Sequence, residues 1–563
     1  AISSHLMEIK GCWADVDIYD AQSMGGLVGY CHTRYASVSS SWADSKLSLK
    51  KTFALPSDDI IFAEHMGGLV GCNVCADAMT NENKSLYMQD CYFDGELEYA
   101  NAEYVGGVVG EGAKLVYNCY STADIISMEK NIDGSLRREG NVGGLVGMCT
   151  DHYYDLENST TPGIVSYCYY SGKIVTYIDY SGGIVGHGFA SHCVSTATMD
   201  GMIAGGIVGR GQAFNCQFDG TVHGCSYGGG IVGTGYAEDC VASGTISGNT
   251  IGSISGSATY YYFPATISNC TGDCILRPCG HQSGNHTIGG IVGGGGDAEI
   301  INCHYERTLT LDATALPNLT FGGIVGAGGT LCQNSSSKGI VINDLFTQEI
   351  AAGGISGFNF DGTIENCWVD GSVQLIGQGG GVYAGGLVGY TENHIYLANC
   401  VVNGNVITSI QPLHEGGGAT VDCGTMVGHC RFRTVTLENC RHNGRFSQGT
   451  QYYGDDDYWE NLPECGDGRK EYAHVPVPTL PEKPVEDYLV SVKALKANGT
   501  LIPLPDVAVY ANGTCVGISD AMGEVCFDSE TFTSNTPVRL SAGAEGYFEC
   551  VANTFLADGG TFT

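Results

Sequence analysis

Cys270, Cys274, Cys279, His281 and His286 crowd into residues 270–286, and thiols with imidazoles are donors that a zinc ion takes. One disulfide beside an exposed loop is the plainer reading of the same residues. Cys72-Asn-Val-Cys75 has the spacing of a redox-active pair, yet no βαβ pattern surrounds it, so a disulfide or a solvent-facing thiol is expected. Cys423 and Cys430 are near neighbours, and Cys515 and Cys526 flank the turn Asp520-Ala-Met-Gly, where a disulfide would staple a hairpin. The run Asp455-Asp456-Asp457 offers oxygen ligands to Ca²⁺. It lacks the spaced D-x-D-x-D-G loop and reads more plainly as a solvated acidic turn. Eight Asn-x-Ser/Thr sequons, at Asn83, Asn158, Asn269, Asn285, Asn318, Asn334, Asn498 and Asn512, are candidate N-glycosylation sites. No Ser/His/Asp order, phosphate-cradling loop or juxtaposed carboxylate pair stands out. The chain therefore offers no catalytic residue, no cofactor site and no assigned metal ligand, and is not expected to be an enzyme.

The elements that would carry these residues follow from a repeat. Gly-Gly-apolar-apolar-Gly begins at Gly25, Gly67, Gly106, Gly143, Gly182, Gly205, Gly229, Gly289, Gly322, Gly353 (with Ser356 in the second apolar place) and Gly385, with a degenerate copy Gly424-Thr425-Met426-Val427-Gly428. Successive starts are 23 or 24 residues apart at their closest, which suits three short strands and their corners and is too short for two helices. Larger spacings, up to the 60 residues between Gly229 and Gly289, read as the same unit plus an insertion. Each bare unit runs through an apolar strand, a Gly corner, a strand bearing Asn-Cys, a turn, and a β-branched strand such as Thr221-Val222. The expected fold is all-β: a parallel β-helix, or β-solenoid, of about twelve coils over residues 1–450, with long insertions. The corner glycines are expected there for positive φ or close backbone approach. The Gly-x-Gly pattern is followed by strands rather than a helix, so a dinucleotide site is excluded.

Stacked coils place equivalent residues above one another. Cys12, Cys91, Cys119, Cys168, Cys193, Cys216, Cys240, Cys303, Cys332, Cys367, Cys400 and Cys440 share one offset, Cys270 is a further candidate, and Ala36 takes the place in the copy at Gly25. A Cys-or-Ala slot implies a column of buried thiols acting as small hydrophobes. The Asn before many of them (Asn118, Asn215, Asn302, Asn366, Asn399, Asn439) is expected to satisfy backbone groups at a corner.

With 60 Asp and Glu against 25 Lys and Arg, the formal charge is −35, which argues against nucleic acid and disfavours adsorption to anionic lipid surfaces. No run of 18 apolar residues is present, so no membrane-spanning helix is expected. The start at Ala1, mid-coil and with no basic-plus-apolar leader, suits a processed or partial polypeptide. Residues 451–486 are acidic and then Pro-rich, a stiff linker. From Asp487 short strands alternate with turns at Ala497-Asn-Gly-Thr and Asp520-Ala-Met-Gly, which indicates a small immunoglobulin-like β-sandwich over 487–563 that lacks its last strand or continues.

The Gly-Gly-Leu/Ile-Val-Gly cores resemble the GLUG-type repeats of large secreted and cell-surface proteins. The succession Asp506-Val-Ala-Val-Tyr, Asp520-Ala-Met-Gly-Glu-Val and Ala544-Glu-Gly-Tyr is similar to carboxypeptidase-regulatory or collagen-binding-B modules. The resemblance implies surface display and adhesion, with the C-terminal module as a stalk. Some relatives are peptidases, but no His-Glu-x-x-His occurs here. The function expected is that of an extracellular structural or adhesive protein, a fibre subunit pairing head-to-tail with copies of itself. A carbohydrate-active β-helix enzyme and a monomeric glycan-binding adhesin are the alternatives. Against the enzyme stands the reading that no Asp or Glu recurs at one repeat offset, although Tyr153, Tyr154, Tyr260, Tyr261, Tyr262, Tyr452 and Tyr453 stud the insertions.

Overall fold

The structure is a computed structural model. It describes residues 2–19, 23–49, 65–73, 85–99, 102–127, 140–149, 163–176, 180–260, 263–278, 285–311, 316–329, 331–411, 413, 420–431 and 435–449, and shorter stretches between 488 and 562. Every regular element among these is a strand. Two long parallel assemblies, of 22 and 33 strands, are built from described strands between Ile2 and Gly449, so this part of the chain is a parallel β-solenoid as the spacing predicts. No helix of the described residues is long and apolar enough to cross a membrane.

One coil can be followed from Val208 to Val232. Val208–Phe214 lies in the first sheet and Asn215 turns the corner with φ 49°. Gln217–Gly229 runs in the second sheet, and Gly229-Gly230-Ile231 leads back to the first, where Val232–Glu238 pairs in register, Val208 on Val232 and Phe214 on Glu238. Fourteen residues in left-handed backbone mark the corner after the first-sheet strand. They are Gly11 and, among the described residues, all thirteen non-glycine residues of positive φ, from Ser40 to Asn439. That conformation costs an L-residue about 1–2 kcal/mol, least for Asn and Asp. The Asn amides bond one another up the stack: Asn302 Nδ2 donates to Asn269 Oδ1 at 3.1 Å, Asn399 to Asn366 and Asn439 to Asn399 at 3.2 Å. These asparagines thus answer to the left-handed corner and to their own kind, rather than to backbone groups.

The count of about twelve coils becomes fourteen corners, and the 60-residue spacing is two coils rather than one with an insertion. Gly252-Ser253-Ile254-Ser255-Gly256 is a further corner, with Ser253 N–H on Gly290 O and Ile254 N–H on Ile291 O like its neighbours. Its second glycine is a serine, which hid it.

The paired glycines are needed for close approach, not for positive φ, which none of them has. A Cβ on Gly68 would fall inside the ring of Phe93, one on Gly144 against Tyr170, and one on Gly206 against Phe218. These rings belong to an interior column that alternates small with large: Ala43, Phe93, Ser121, Tyr170, Ser195, Phe218, Ala242, all 2% exposed or less. Each ring fills the space left by a small neighbour above and below, the interdigitation that native packing density requires.

Two cysteine assignments are corrected by the register. The residue after the corner in the second coil is Ser41, not Ala36, which pairs instead with Met7 and Leu86. Cys332 pairs with Ile300 and Ile364 in an apolar column, and Ser335 holds the ladder place between Cys303 and Cys367; Cys270 belongs to the ladder. The slot is therefore Cys or Ser, and its chemistry explains why. Backbone N–H of one coil donates to the next side chain, Cys91 to Cys119 Sγ at 3.4 Å, Cys303 to Ser335 Oγ at 3.1 Å, Cys12 to Ser41 Oγ at 3.2 Å. The same thiol or hydroxyl donates to the carbonyl two residues earlier, as from Cys91 to Gln89 and from Ser41 to Ser39. Alanine can do neither. With no cation beside them, burial pushes the thiols of Cys168, Cys216 and Cys270 well up, so they stay protonated.

The second compact unit spans Pro478–Thr563. Thr514–Ile518, Ala508–Ala511, Pro537–Ala542 and Cys550–Phe555 form one antiparallel sheet. In another, Tyr488–Ser491 lies between Glu524–Phe527 and Thr561–Phe562.

Candidate functional site: an aromatic and acidic face

After each left-handed corner and its Cys or Ser come two strand residues and a turn. The first strand residue points outward and the second inward. In the first five coils the outward residue is Trp13, Trp42, Tyr92, Tyr120 and Tyr169, paired in direct register. The rings stack along the coil axis: Trp13 on Trp42 at 5.6 Å and 14°, Tyr92 on Tyr120 at 4.1 Å and 24°. Stacking leaves their long edges to solvent, and Trp13 is 65%, Trp42 43% and Tyr120 42% exposed. Beside them Tyr167 stacks on His192 at 4.7 Å, and Tyr19, Tyr35 and Tyr87 are exposed on the same group of coils. The next four outward residues are Val194, Gln217, Val241 and Thr271, so the unbroken run of rings ends at Tyr169; further along the same column His304 and Trp368 return rings, with centroids 5.8 Å apart.

Two residues further along each coil stands a second outward column: Asp15, Asp44, Asp94, Thr122, Ser171 and Thr196, joined through backbone bonds from Asp44 N–H to Ala14 O and from Asp94 N–H to Ala43 O. It continues as Asp219, Ser243, Asp273, Glu306, Lys338 and Asp370. An acidic residue thus does recur at one offset, three after the ladder Cys, contrary to the expectation from sequence. Counting from the paired glycines scrambles that offset, because the insertions fall in between; counting from the ladder Cys restores it. The two columns touch. Tyr169 Oη lies 3.1 Å from Thr196 Oγ1, and within the polar column Thr122 Oγ1 donates to Asp94 Oδ1 at 2.6 Å. Burial beside Asp94 pushes the Tyr92 hydroxyl up to about 12, so it remains a neutral donor. Lys46 bridges Glu96 and Glu98, at 2.9 and 3.4 Å, on the next column. The face therefore combines ring edges, hydroxyl donors and carboxylate acceptors in strips one coil apart.

The other sequence candidates scatter. Cys270 is in the ladder, Cys274 is buried in the core within reach of Ser253 O, and His286 is buried, so these three do not form the pictured cluster. Cys279, His281, Cys75, Asp455–Asp457, Asn83, Asn158, Asn498 and Asn512 lie outside the described residues, as do Tyr153, Tyr154, Tyr261, Tyr262, Tyr452 and Tyr453. Asn269 and Asn334 occupy left-handed corners, while Asn318 Nδ2 donates to Asn285 Oδ1 at 2.9 Å on an exposed edge. Cys423 and Cys430 are buried thiols. Cys515 is exposed on Thr514–Ile518, while Cys526 sits on a strand of the other sheet, with its side chain outside the described set.

Comparison with protein-family models, with curated proteins and with solved structures finds no match to this chain.

Proposed function

We propose that this chain is an extracellular adhesive scaffold of the GLUG-repeat kind, whose first five coils bind a saccharide chain without turning it over. The observation that carries the reading is the ring column Trp13–Trp42–Tyr92–Tyr120–Tyr169 running beside the Asp15–Asp44–Asp94–Thr122–Ser171 column. Sugars offer apolar C–H patches and hydroxyls together, and exposed Trp and Tyr with neighbouring carboxylates and hydroxyls answer both. A contiguous exposed aromatic surface marks an interaction site rather than a solvent face. The −35 charge favours a neutral or basic polysaccharide over an acidic one. The C-terminal unit, resembling a collagen-binding-B or carboxypeptidase-regulatory module, serves as a stalk in this reading. A glycan array probed with the full chain is expected to return neutral or amino-sugar polymers. Release of reducing ends from a bound polymer would make the protein an enzyme and overturn the non-catalytic part.

Head-to-tail assembly is a second reading. The coils join edge to edge through parallel strands, as Ile2–Lys10 does with Val28–Ser39, and a coil of another subunit would extend the stack through the same bonds. Negative-stain electron microscopy is expected to show filaments if it is right and isolated particles if it is wrong.

A further inference from the structure

Two more outward columns flank every paired-glycine corner, one residue before the interior position that precedes the glycines and one residue after the last glycine. The corner folds the chain back on itself, so residues seven apart meet in a seam. In the coil of Gly67 these are His65 and Cys72, and the next coil contributes Tyr104 above His65 and Glu111 above Cys72. His65 Nδ1 lies 3.0 Å from Glu111 Oε2, and the donor atoms of His65, Cys72 and Glu111 all fall within 4.8 Å of one another. His65 is 8% exposed and Cys72 is fully buried, while the Glu111 side chain keeps 17% of its surface. His65 Nδ1 faces the carboxylate at ion-pair distance but makes no hydrogen bond, so this buried nitrogen lacks the directional partner such atoms normally have. The ring of Tyr104 stacks on His65 at 5.5 Å and 14° and holds it facing the carboxylate.

We propose that His65, Cys72 and Glu111 bind a zinc ion. One imidazole, one thiol and one carboxylate are the donor types zinc takes, at about 2.0–2.3 Å from the metal, which places donors roughly 3.5 Å apart around a tetrahedron. Small side-chain rotations contract the present triangle to that size, and zinc binding displaces the thiol proton to solvent. Three protein donors with partial solvent access at Glu111 leave the fourth position to water. A plain His–Glu ion pair beside a buried cysteine is the competing account, and it gives no metal-dependent signal from Cys72. The seam elsewhere does not repeat the set. At its far end Asp422 and His429 pair at 2.6 Å among Tyr383 and Tyr390, with no thiol in that group, and among the described residues no second cluster of three such donors exists.

The test uses the full chain, stripped with a chelator and titrated with zinc and, separately, with Co²⁺. One metal per chain is expected, with a thiolate-to-cobalt charge-transfer band. Cys72→Ser should abolish that band. Glu111→Gln, at the more accessible ligand, should keep the fold by circular dichroism and weaken zinc at least as much as the ~10–100-fold seen when outer partners of a metal site are lost. Binding no tighter than in the Cys72→Ser chain, or a cobalt band that survives that substitution, would overturn the site.

Discussion

On each two-residue strand after the ladder, neighbouring side chains obey different rules. Trp42-Ala43, Tyr92-Phe93, Tyr120-Ser121, Tyr169-Tyr170 and Gln217-Phe218 each put the first residue out and the second in, while in Val194-Ser195 both are buried. The inward residues alternate in size because each must fit the glycine corner of its own coil and the side chains above and below. The outward residues answer to no such constraint, since the coil forms equally well with Trp, Tyr, Val or Gln there. Five aromatic residues in succession at a position where the fold asks for nothing are what points to a ligand. Repeats inside one chain thus separate what the fold needs from what it merely tolerates.

The interior side of this contrast breaks most severely in alkali. Burial pushes the thiols of Cys149, Cys274 and Cys423 up to about 12, while an unfolded thiol titrates near ~8.5. A raised folded value means that the stabilisation is complete below the unfolded pKa and is lost as pH climbs towards 12. Each such group steepens the fall by about 1.4 kcal/mol per pH unit in that window. Melting temperature should be flat below pH 8 and drop sharply above pH ~9, less so in the Cys149→Ala/Cys423→Ala chain.

Truncating an inward ring comes next. Phe218→Ala or Tyr170→Ala leaves a cavity facing Gly206 or Gly144 and should cost about 3–5 kcal/mol in chemical denaturation. The ladder predicts a smaller and more selective effect. Cys240→Ser, which copies Ser41 and Ser335, should be nearly neutral. Cys240→Ala, which strips an acceptor from the buried Cys216 N–H and a donor from the Glu238 carbonyl, should cost about 1–3 kcal/mol. Equal costs for the two would return the slot to simple packing. Smallest of all, Trp42→Ala on the outward side should stay within about 0.5 kcal/mol of the native chain.

The solenoid was legible because the paired-glycine spacing reports coil length directly. The ladder is legible in outline and misleads at Ala36 and Cys332, because a side chain of similar size and polarity there does not share register with the left-handed residue. Gly252-Ser253 escaped notice since a serine there still lets Ile254 turn inward. The aromatic face stood in plain view, directly after the ladder residue. Its residue types change after Tyr169, though, and a search for uniform columns passes over a position whose identity the fold does not fix. The His65–Cys72–Glu111 seam required knowing that a corner brings residues seven apart together and that Glu111 lies one coil above, which spacing alone does not say.

The sharpest single measurement compares Tyr92→Ala with Phe93→Ala for both polysaccharide affinity and melting temperature. The outward change should lower affinity by about tenfold or more, in keeping with a hot-spot aromatic, and leave melting unchanged. The inward change should lower melting by several degrees and leave the affinity of the folded fraction intact. If Tyr92→Ala binds as the native chain does, or if the native chain binds no saccharide, the outward column is not a binding face.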